Sequence, residues 1–292
     1  MAPRPVRKAV LPVAGLGSRF LPASKAVPKE MLTVVDKPVI EYAIEEAREA
    51  GIEEFIFVTG RGKAAIEDHF DHIYELEATL KERGKQSELA GLLAGIPAAG
   101  SMLFTRQQKP LGLGHAVWCA RLAIGNEPFA VLLPDDIMVG KPGSLKQMVD
   151  VYNRVGGCIV AAEEVPRERT NRYGIIDPGQ TDGNLTEVRG VVEKPNPEEA
   201  PSTLGVIGRY ILQPDIFAEL ERKTVGAGGE IQLTDSMARL IGRMPFHGLK
   251  TSCARYDCGD KLGFVQANIA VALSRPDIAP FVKDFLKAHS RA

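Results

Sequence analysis

The sequence lacks a strong charge of either sign. In its 292 residues, 36 Lys and Arg nearly balance 37 Asp and Glu, and the formal net charge is −1. A broad nucleic-acid-binding surface needs excess positive charge and is not expected here, whereas a local cationic pocket for phosphates is compatible with this balance. The composition, 45% hydrophobic and 25% charged, is that of an ordinary globular protein.

Paired cysteines and long apolar runs are also absent. The four cysteines form no C-x-x-C pair, which favours a reduced, cytoplasmic protein. Basic residues do precede a short apolar run near the N-terminus, but Pro12 interrupts this run and Arg19 follows it, so we do not expect a signal peptide. No apolar stretch approaches the roughly 20 residues that span a bilayer, and we expect no membrane partner.

The most informative segment is residues 7–31. A short apolar run is followed by Gly15 and Gly17, which allow backbone N–H groups to approach a ligand closely, and by prolines that stiffen the loop. Such a loop, with added cations, is suited to binding a polyphosphate. The cations of this segment after the glycines are Arg19, Lys25 and Lys29.

Three other interpretations apply to this glycine turn. No G-x-x-x-x-G-K-[ST] string occurs in the chain, so a P-loop is not indicated. The dinucleotide-binding pattern G-x-G-x-x-G/A fits poorly, because Phe20 stands at the position of the third small residue. On the residues alone, an ordinary strand-to-helix turn with solvated lysines remains open.

The segment as a whole resembles a family signature. Its run GLGSRFLPASKAVPK is similar to the signature G-x-G-[ST]-R-x-x-P-x-[ST]-K-x-x-P-K of the sugar-phosphate nucleotidylyltransferases. The continuation EMLTVVDKP resembles, in particular, the bacterial enzymes that join UTP to glucose 1-phosphate. The resemblance implies nucleotide-binding roles for Ala14, Gly15, Gly17 and Glu30, and catalytic roles for the cations Arg19 and Lys29.

The order of apolar segments predicts an α/β fold. A strand at residues 6–13, a helix after Pro38 that ends at Gly51 and a strand at residues 55–59 form a βαβ unit. We therefore expect a Rossmann-like mixed, mostly parallel central sheet flanked by helices, with its ligand crevice at the carboxyl ends of the strands. Residues 90–100 are small, contain Gly and Pro, and predict a loop.

Two parts of one catalytic domain and a helical tail are expected. Residues 1–260 would form the catalytic domain, with nucleotide binding over about 1–140 and sugar binding over about 141–260. We expect residues 261–292 to form two helices that could serve as an oligomer interface. The resemblance implies a homo-oligomer, either a dimer or a tetramer.

A second glycine-containing loop follows the strand predicted at residues 102–106. Its sequence QQKPLGLGHA leads into a helix, and a Gln amide can both donate to and accept from a uracil edge. On pattern alone, a loop with a capping turn fits equally. The resemblance implies that Gln107 and Gly112 hold the base, and we interpret His115 as structural.

Carboxylates at the end of a predicted strand suggest a magnesium site. Asp135 and Asp136 follow the apolar run 129–133, where a Mg²⁺ that keeps several waters could bridge substrate phosphates; an Asp pair that initiates a turn is the alternative. The resemblance assigns the Mg²⁺ to Asp135, with Asp257 of the later YDCG turn as a second ligand. Asp136 stands where several relatives have an apolar residue.

A Glu-Lys-Pro segment marks the predicted sugar side. Adjacent side chains of an extended segment point to opposite faces, so Glu193 and Lys194 can reach one substrate only at a strand end or bend, which Pro195 favours. A surface ion pair is the alternative. The resemblance assigns Glu193 to sugar hydroxyls, Lys194 to the sugar phosphate and Gly174 to a backbone contact with the sugar.

These assignments imply one reaction. UTP and glucose 1-phosphate would give UDP-glucose and pyrophosphate by Mg²⁺-assisted direct in-line displacement. The two alternatives are a relative that uses dTTP or another sugar phosphate, and a non-catalytic nucleotide-sugar sensor on the same fold. A covalent uridylyl-enzyme is not indicated, because none of the five histidines lies in an H-x-H motif.

Overall fold

The computed structural model describes residues 3–289, which contain thirteen β-strands and eleven α-helices. The strands are β1 (Lys8–Pro12), β2 (Thr33–Val34), β3 (Lys37–Pro38), β4 (Glu54–Thr59), β5 (Met102–Arg106), β6 (Phe129–Leu132), β7 (Asp136–Val139), β8 (Cys158–Glu164), β9 (Gly174–Asp182), β10 (Leu185–Glu193), β11 (Leu204–Leu212), β12 (Phe246–Leu249) and β13 (Ala254–Asp257). The helices are α1 (Val39–Glu49), α2 (Ala64–His69), α3 (Tyr74–Glu82), α4 (Gln86–Gly95), α5 (Leu113–Cys119), α6 (Arg121–Ile124), α7 (Ser144–Val155), α8 (Ile216–Glu221), α9 (Leu233–Ala238), α10 (Lys261–Ser274) and α11 (Ala279–His289).

Nine of the strands form one mixed sheet, in the order β5-β4-β1-β6-β11-β8-β12-β10-β9. The first four strands are parallel to one another, as expected for successive crossover units, and β6 is antiparallel to β11. In the other half, only β8 and β12 pair in parallel. The expectation of a mixed sheet is therefore confirmed, but the expectation that most of its pairings are parallel is wrong.

A short turn explains part of this difference. Only Gly183 and Asn184 separate β9 from β10, and a two-residue connection permits an antiparallel hairpin but no parallel crossover. The last strand, β9, also pairs with β11 through Gly205 and Ile175. The strands from β11 to β9 thereby close into a small barrel beside the parallel half.

The core has two layers, one on each face of the sheet. Successive side chains of a strand point to opposite faces, so Val10 of β1 packs in one apolar cluster, and Ala9 and Leu11 pack in the other. The first cluster includes residues of α5, α8 and α9, and the second includes residues of α1 and α7. Helices therefore flank both faces of the sheet and leave its strand ends exposed to form a crevice.

Most predicted helices are present, with one difference. The tail forms α10 and α11 on either side of Pro276, as predicted. Residues 90–100, predicted as a loop, instead contain the second half of α4, and no residue of this helix is buried. Within residues 3–289, none of the helices has the length and apolarity that crossing a membrane requires.

Candidate active site

Four loops meet at the carboxyl ends of the parallel strands. The glycine turn follows β1, residues 60–63 follow β4, the loop beginning at Gln107 follows β5, and Asp135 lies shortly after β6. Because these four strands are neighbours in parallel register, the segments converge at one edge of the sheet. This edge is where open α/β sheets bind their ligands.

The glycine turn is held in one conformation. Gly17 has φ +67°, in the left-handed region that side chains disfavour, and its carbonyl accepts a hydrogen bond of 2.7 Å from the Ser24 hydroxyl. A Cβ atom at Gly17 would lie 3.2 Å from Cβ of Lys29. The glycine therefore lets the Lys29 stem pass directly against the turn.

Lys29 reaches the carboxylate that follows β6. Its Nζ lies 2.5 Å from Oδ2 of Asp135, and both side chains are largely buried. Burial alone lowers the pKa of Lys29, but the Asp135 carboxylate leaves it above its usual value. Burial likewise raises the pKa of Asp135, and Lys29 outweighs this effect, so that the carboxyl remains ionised at neutral pH.

Asp135 and Asp257 face the same point in space. A methyl group at Gly259 would lie 2.8 Å from Oδ1 of Asp257, 3.0 Å from Oδ2 of Asp135 and 3.6 Å from Nη2 of Arg19. Burial and the carboxylates of Asp136 and Asp135 raise the pKa of Asp257, against the opposing effect of Arg255. Two close carboxylates favour a cation between them.

This pair fits a magnesium ion that keeps most of its water and phosphate ligands. In the described part of the chain, no cluster of three or more His, Cys, Asp or Glu residues could form a complete metal cage. Mg²⁺ in phosphate-binding sites is commonly held by one or two carboxylates together with substrate oxygens and waters. Asp135 and Asp257 are residues of this kind, and Asp136 is not available: its Oδ2 accepts from the Gly208 N–H at 2.9 Å, and its Oδ1 lies 2.8 Å from Arg255.

The loop after β5 presents a Gln amide. Nε2 of Gln107 donates to the Gly112 carbonyl at 2.9 Å and lies 3.1 Å from Nδ1 of His115. Gly112 has φ +103°, and a Cβ there would lie 2.7 Å from Cβ of Glu230. The Gly112 position therefore requires glycine, and the neighbouring GEIQLTD segment packs directly against this loop.

The Glu-Lys-Pro segment forms the predicted bend. Glu193 is the last residue of β10, and Lys194 has φ +47°, which turns its side chain back so that Nζ lies 3.2 Å from Oε1 of Glu193. Gly174 faces the same carboxylate, since a Cβ there would lie 3.3 Å from Oε2 of Glu193 and 3.0 Å from Thr234. The three residues predicted for the sugar side are therefore adjacent.

Two cavities divide the predicted residues between them. The larger cavity has a volume of about 540 Å³, and its predicted lining residues are Arg19, Asp135, Gly174, Glu193, Lys194 and Asp257. The smaller cavity, of about 290 Å³, is lined by Ala14, Gly15 and Gln107. Four predicted residues line neither cavity, namely Gly17, Lys29, Glu30 and Gly112. The first two contact each other, and Lys29 also contacts Asp135. Glu30 contacts Lys63, which lines the smaller cavity, and Gly112 accepts from Gln107.

Sequence reasoning missed three arginines at the larger cavity. Arg172 and Arg255 line it, and Arg255 also contacts Asp136 and Glu163. Arg209, fully buried, donates to the backbone carbonyls of Leu133 and Asp136 on either side of Asp135. Isolated arginines carry no local signal, because their partners lie tens of residues away in the chain.

Comparisons with known proteins identify the family of this chain. The family model described as nucleotidyl transferase matches residues 8–271. A UTP–glucose-1-phosphate uridylyltransferase of Komagataeibacter xylinus is 57% identical over 259 residues, which are 89% of this chain and 91% of that protein. Another, of Bacillus subtilis (strain 168), is 50% identical over 285 residues, covering 96% of this chain and 97% of the relative.

Solved structures are similar over nearly the whole chain. A UTP-bound UGPase from Acinetobacter baumannii superposes with a TM-score of 0.89 at 43% identity, covering 96% of this chain and 98% of that one. A UDP-glucose pyrophosphorylase complexed with UDP-glucose gives a TM-score of 0.83 at 42% identity, covering 92% of this chain and 100% of the other. The chain therefore belongs to the nucleotidyl transferase family and, within it, to the bacterial UTP–glucose-1-phosphate uridylyltransferases.

Proposed function

We propose that this chain transfers UMP from UTP to glucose 1-phosphate, forming UDP-glucose and pyrophosphate. The observation that carries the proposal is the convergence of Arg19, Asp135 and Asp257 at one point of the larger cavity. The Lys29 stem passes against Gly15 and Gly17 of the glycine turn, and its ammonium reaches Asp135 at this point. Relatives of this family carry the same activity in their names, over nearly the full length of the chain.

The two cavities suit the two substrates. The smaller cavity would hold the base and ribose, with Gln107 at the uracil edge and the glycine turn along the sugar and phosphates. The larger cavity would hold glucose 1-phosphate, with Glu193 accepting from sugar hydroxyls and Lys194 beside the phosphate. Residues 1–140 and 141–260 would thus form the nucleotide-binding and sugar-binding parts, on the fold of the nucleotide-diphospho-sugar transferases.

Transfer would be direct and in line. A phosphate oxygen of glucose 1-phosphate attacks the α-phosphorus of UTP, and pyrophosphate leaves. The nucleophile is already an anion and needs no general base, and none of the described residues that line either cavity is a His or a Cys. The barrier is chiefly the repulsion between two anions and their misorientation, and Arg19, Lys29 and Lys194 would relieve the repulsion.

Asp135 and Asp257 would hold Mg²⁺ at the junction of the cavities. When bound, the ion neutralises phosphate charge and orients the phosphates for attack. Lys29 would then exchange its contact with Asp135 for the triphosphate, because the ion and the ammonium compete for the same carboxylate oxygen.

The C-terminal segment would join subunits into a homo-oligomer in the cytoplasm. Phe281 and Phe285 of α11 are 73% and 61% exposed, which is unusual for large apolar side chains of one helix. Light scattering on the purified chain would give a dimer or tetramer mass, and Phe281→Ser with Phe285→Ser would reduce it. A monomer in the unaltered chain would contradict this part of the proposal.

Pyrophosphate release tests the activity. The purified chain with Mg²⁺, UTP and glucose 1-phosphate should release pyrophosphate and form UDP-glucose, while dTTP and other sugar phosphates should be poorer substrates. Nucleotide binding without pyrophosphate release would favour a nucleotide-sugar sensor, and a preference for dTTP would favour the other branch of the family. Labelled UMP trapped on the protein during turnover would contradict direct transfer.

A further inference from the structure

The turn between β2 and β3 contains a strained valine. Val35 and Asp36 connect two strands that pair in antiparallel register, with Val34 opposite Lys37. Val35 has φ +60°, and a positive φ at the first central residue of a two-residue hairpin normally requires glycine. For a β-branched residue this conformation is an outlier, and its strain is at least as large as the contribution of one typical hydrogen bond. Contacts from outside the turn must therefore stabilise it.

Helix α10 and the residue that follows it supply these contacts. Oδ1 of Asn268 accepts from the Val35 N–H at 2.9 Å, and Nδ2 of the same amide donates to the Phe264 carbonyl at 2.9 Å, which fixes the orientation of the amide. Arg275, directly after α10, donates to both carboxylate oxygens of Asp36, at 2.8 and 3.0 Å. Because Asp36 is exposed, solvent weakens this ion pair, and the hydrogen bond from Val35 to Asn268 is the more important of the two contacts.

The strands beneath α10 lead to proposed site residues. Buried residues of α10, β2 and β7 belong to one apolar cluster, whose members include Ala267, Val34 and Ile137. Asp135 immediately precedes β7, and β13, which pairs with β7 and also contacts α10, ends at Asp257. The helix therefore lies on the segments that carry both proposed magnesium ligands.

The strained turn is also close in sequence to Lys29. Only residues 30–34 separate Lys29 from Val35. This connection is stiff, because the Leu32 N–H donates to the Lys29 carbonyl and the Val39 N–H donates to the Leu32 carbonyl. A change of backbone conformation at Val35 would therefore be transmitted to Lys29.

The same helix contacts the glycine turn. The ring of Phe20, which is only 9% exposed, packs edge-to-face on the ring of Phe264, with the two centroids 5.5 Å apart. Phe20 directly follows Arg19. Helix α10 is thus connected to the segments of both cations that are proposed to bind the triphosphate.

We propose that Asn268 is a positioning residue for nucleotidyl transfer: by holding Val35 in its strained conformation, it keeps Lys29 in place beside Asp135. This inference rests on the proposed function. Without the amide acceptor the turn relaxes toward a negative φ at Val35, and the segment that begins at Lys29 shifts. Asn268 lines neither cavity and acts through Lys29 rather than on a substrate.

The first test removes the acceptor. Asn268→Ala should lower kcat/KM for UTP about 10-fold, or about 1.4 kcal/mol, as measured by pyrophosphate release with saturating glucose 1-phosphate. Its melting temperature should fall only slightly, because alanine favours the helix. Gln266→Ala is the matched control, since Gln266 is exposed on the same helix, and it should keep the kcat/KM of the unaltered chain.

Val35→Gly tests whether strain is the reason for this effect. Glycine adopts a positive φ without strain, so the altered turn no longer depends on the amide. In the presence of Val35→Gly, Asn268→Ala should therefore lower kcat/KM by about threefold or less. A merely structural role of Asn268 would give the same loss of activity with and without Val35→Gly.

Hydrogen exchange tests the turn without turnover. The amides of residues 29–36 should exchange faster in Asn268→Ala than in the unaltered chain or in Gln266→Ala. The inference is overturned if their exchange is unchanged, if Asn268→Ala keeps kcat/KM within about threefold of the unaltered chain, or if Val35→Gly does not reduce the loss. Absence of pyrophosphate release from the unaltered chain would instead contradict the proposed function.

Discussion

The ammonium of Lys29 lies 2.5 Å from Oδ2 of Asp135, although 106 residues separate them in the chain. The glycine turn carries one partner and the loop after β6 carries the other, so the contact joins two neighbouring strand ends. Lys29 has its stem against the turn and its charge in the region where Asp135 and Asp257 converge. This single side chain therefore connects the proposed nucleotide-binding and metal-binding regions.

Lys29→Met should impair catalysis more than it impairs folding. It removes a preorganised cation from the triphosphate and should lower kcat/KM by about 10²- to 10³-fold, or about 2.7–4 kcal/mol of transition-state stabilisation. Pyrophosphate release measures the effect. Lys146→Met, which breaks an exposed pair with Asp150 on α7, is the control and should retain full activity. Near-normal turnover of Lys29→Met would refute the role of this residue.

One substitution at Lys194 separates the effect of its backbone strain on stability from the effect of its charge on catalysis. Its φ of +47° is unfavourable for any residue except glycine, so Lys194→Gly should melt at a temperature equal to or higher than that of the unaltered chain. The same substitution removes the charge proposed for the sugar phosphate, and kcat/KM for glucose 1-phosphate should fall on the order of 10²-fold. Calorimetry and initial-rate kinetics test the two effects.

Lys223 supplies the control for that experiment. It also has a positive φ, of +49°, but lines neither cavity. Lys223→Gly relieves the same strain but also removes an ammonium that lies 4.4 Å from the centroid of the Trp118 ring, so we expect a neutral effect on the melting temperature and normal turnover at neutral pH. A Lys194→Gly variant with undiminished activity toward glucose 1-phosphate would show that Lys194 is conformational only.

The buried pair of Arg209 and Glu46 should be important for stability. Arg209 is 1% exposed, and its Nη2 lies 2.6 Å from Oε2 of Glu46. Arg209→Met would leave an uncompensated carboxylate and free the carbonyls of the Asp135 loop, and should lower the free energy of unfolding by about 3–5 kcal/mol. Adding Glu46→Met should recover part of this loss. Denaturant unfolding of Arg209→Met, Glu46→Met and the double variant measures the three losses of stability. If the losses of the two single variants simply add up in the double variant, the two side chains do not stabilise each other.

The local sequence was sufficient to predict those features whose geometry is determined within one short segment. The bend at Lys194 was predicted because adjacent residues of a strand cannot face one substrate, and the positive φ of Lys194 confirms it. The two tail helices divided by Pro276 were also predicted and are present. Such features depend on neighbours within a few residues, so the sequence displays them directly.

Features that depend on distant partners were not predicted. Arg255 contacts Glu163, 92 residues earlier in the chain, and Arg209 pairs with Glu46, 163 residues earlier. The barrel closure between β9 and β11 likewise involves strands that are apart in sequence. Charge and hydropathy patterns contain no information about which distant strand becomes a neighbour, so the sheet was wrongly predicted as mostly parallel.

His115 provides a test of the base loop through pH. The Gly112 carbonyl can only accept, so the amide nitrogen of Gln107 faces both it and His115, and Nδ1 of His115 must be an unprotonated acceptor. Burial, with a smaller effect of Lys223, lowers the pKa of His115 below its ordinary value. The native state therefore favours the neutral imidazole.

The sign of the pH effect follows from this lowered pKa. The stability that His115 contributes is fully present above the ordinary histidine pKa, about 6.5, and is lost as pH falls through the lower native value. Protonation of Nδ1 removes the acceptor for Gln107, whose amide would rotate and withdraw Oε1 from the proposed uracil contact. The KM for UTP should therefore rise as pH falls below about 6.5, while His115→Asn, which can accept without titrating, should abolish that rise. An NMR titration that places the His115 pKa above 6.5 would contradict the assigned hydrogen bond.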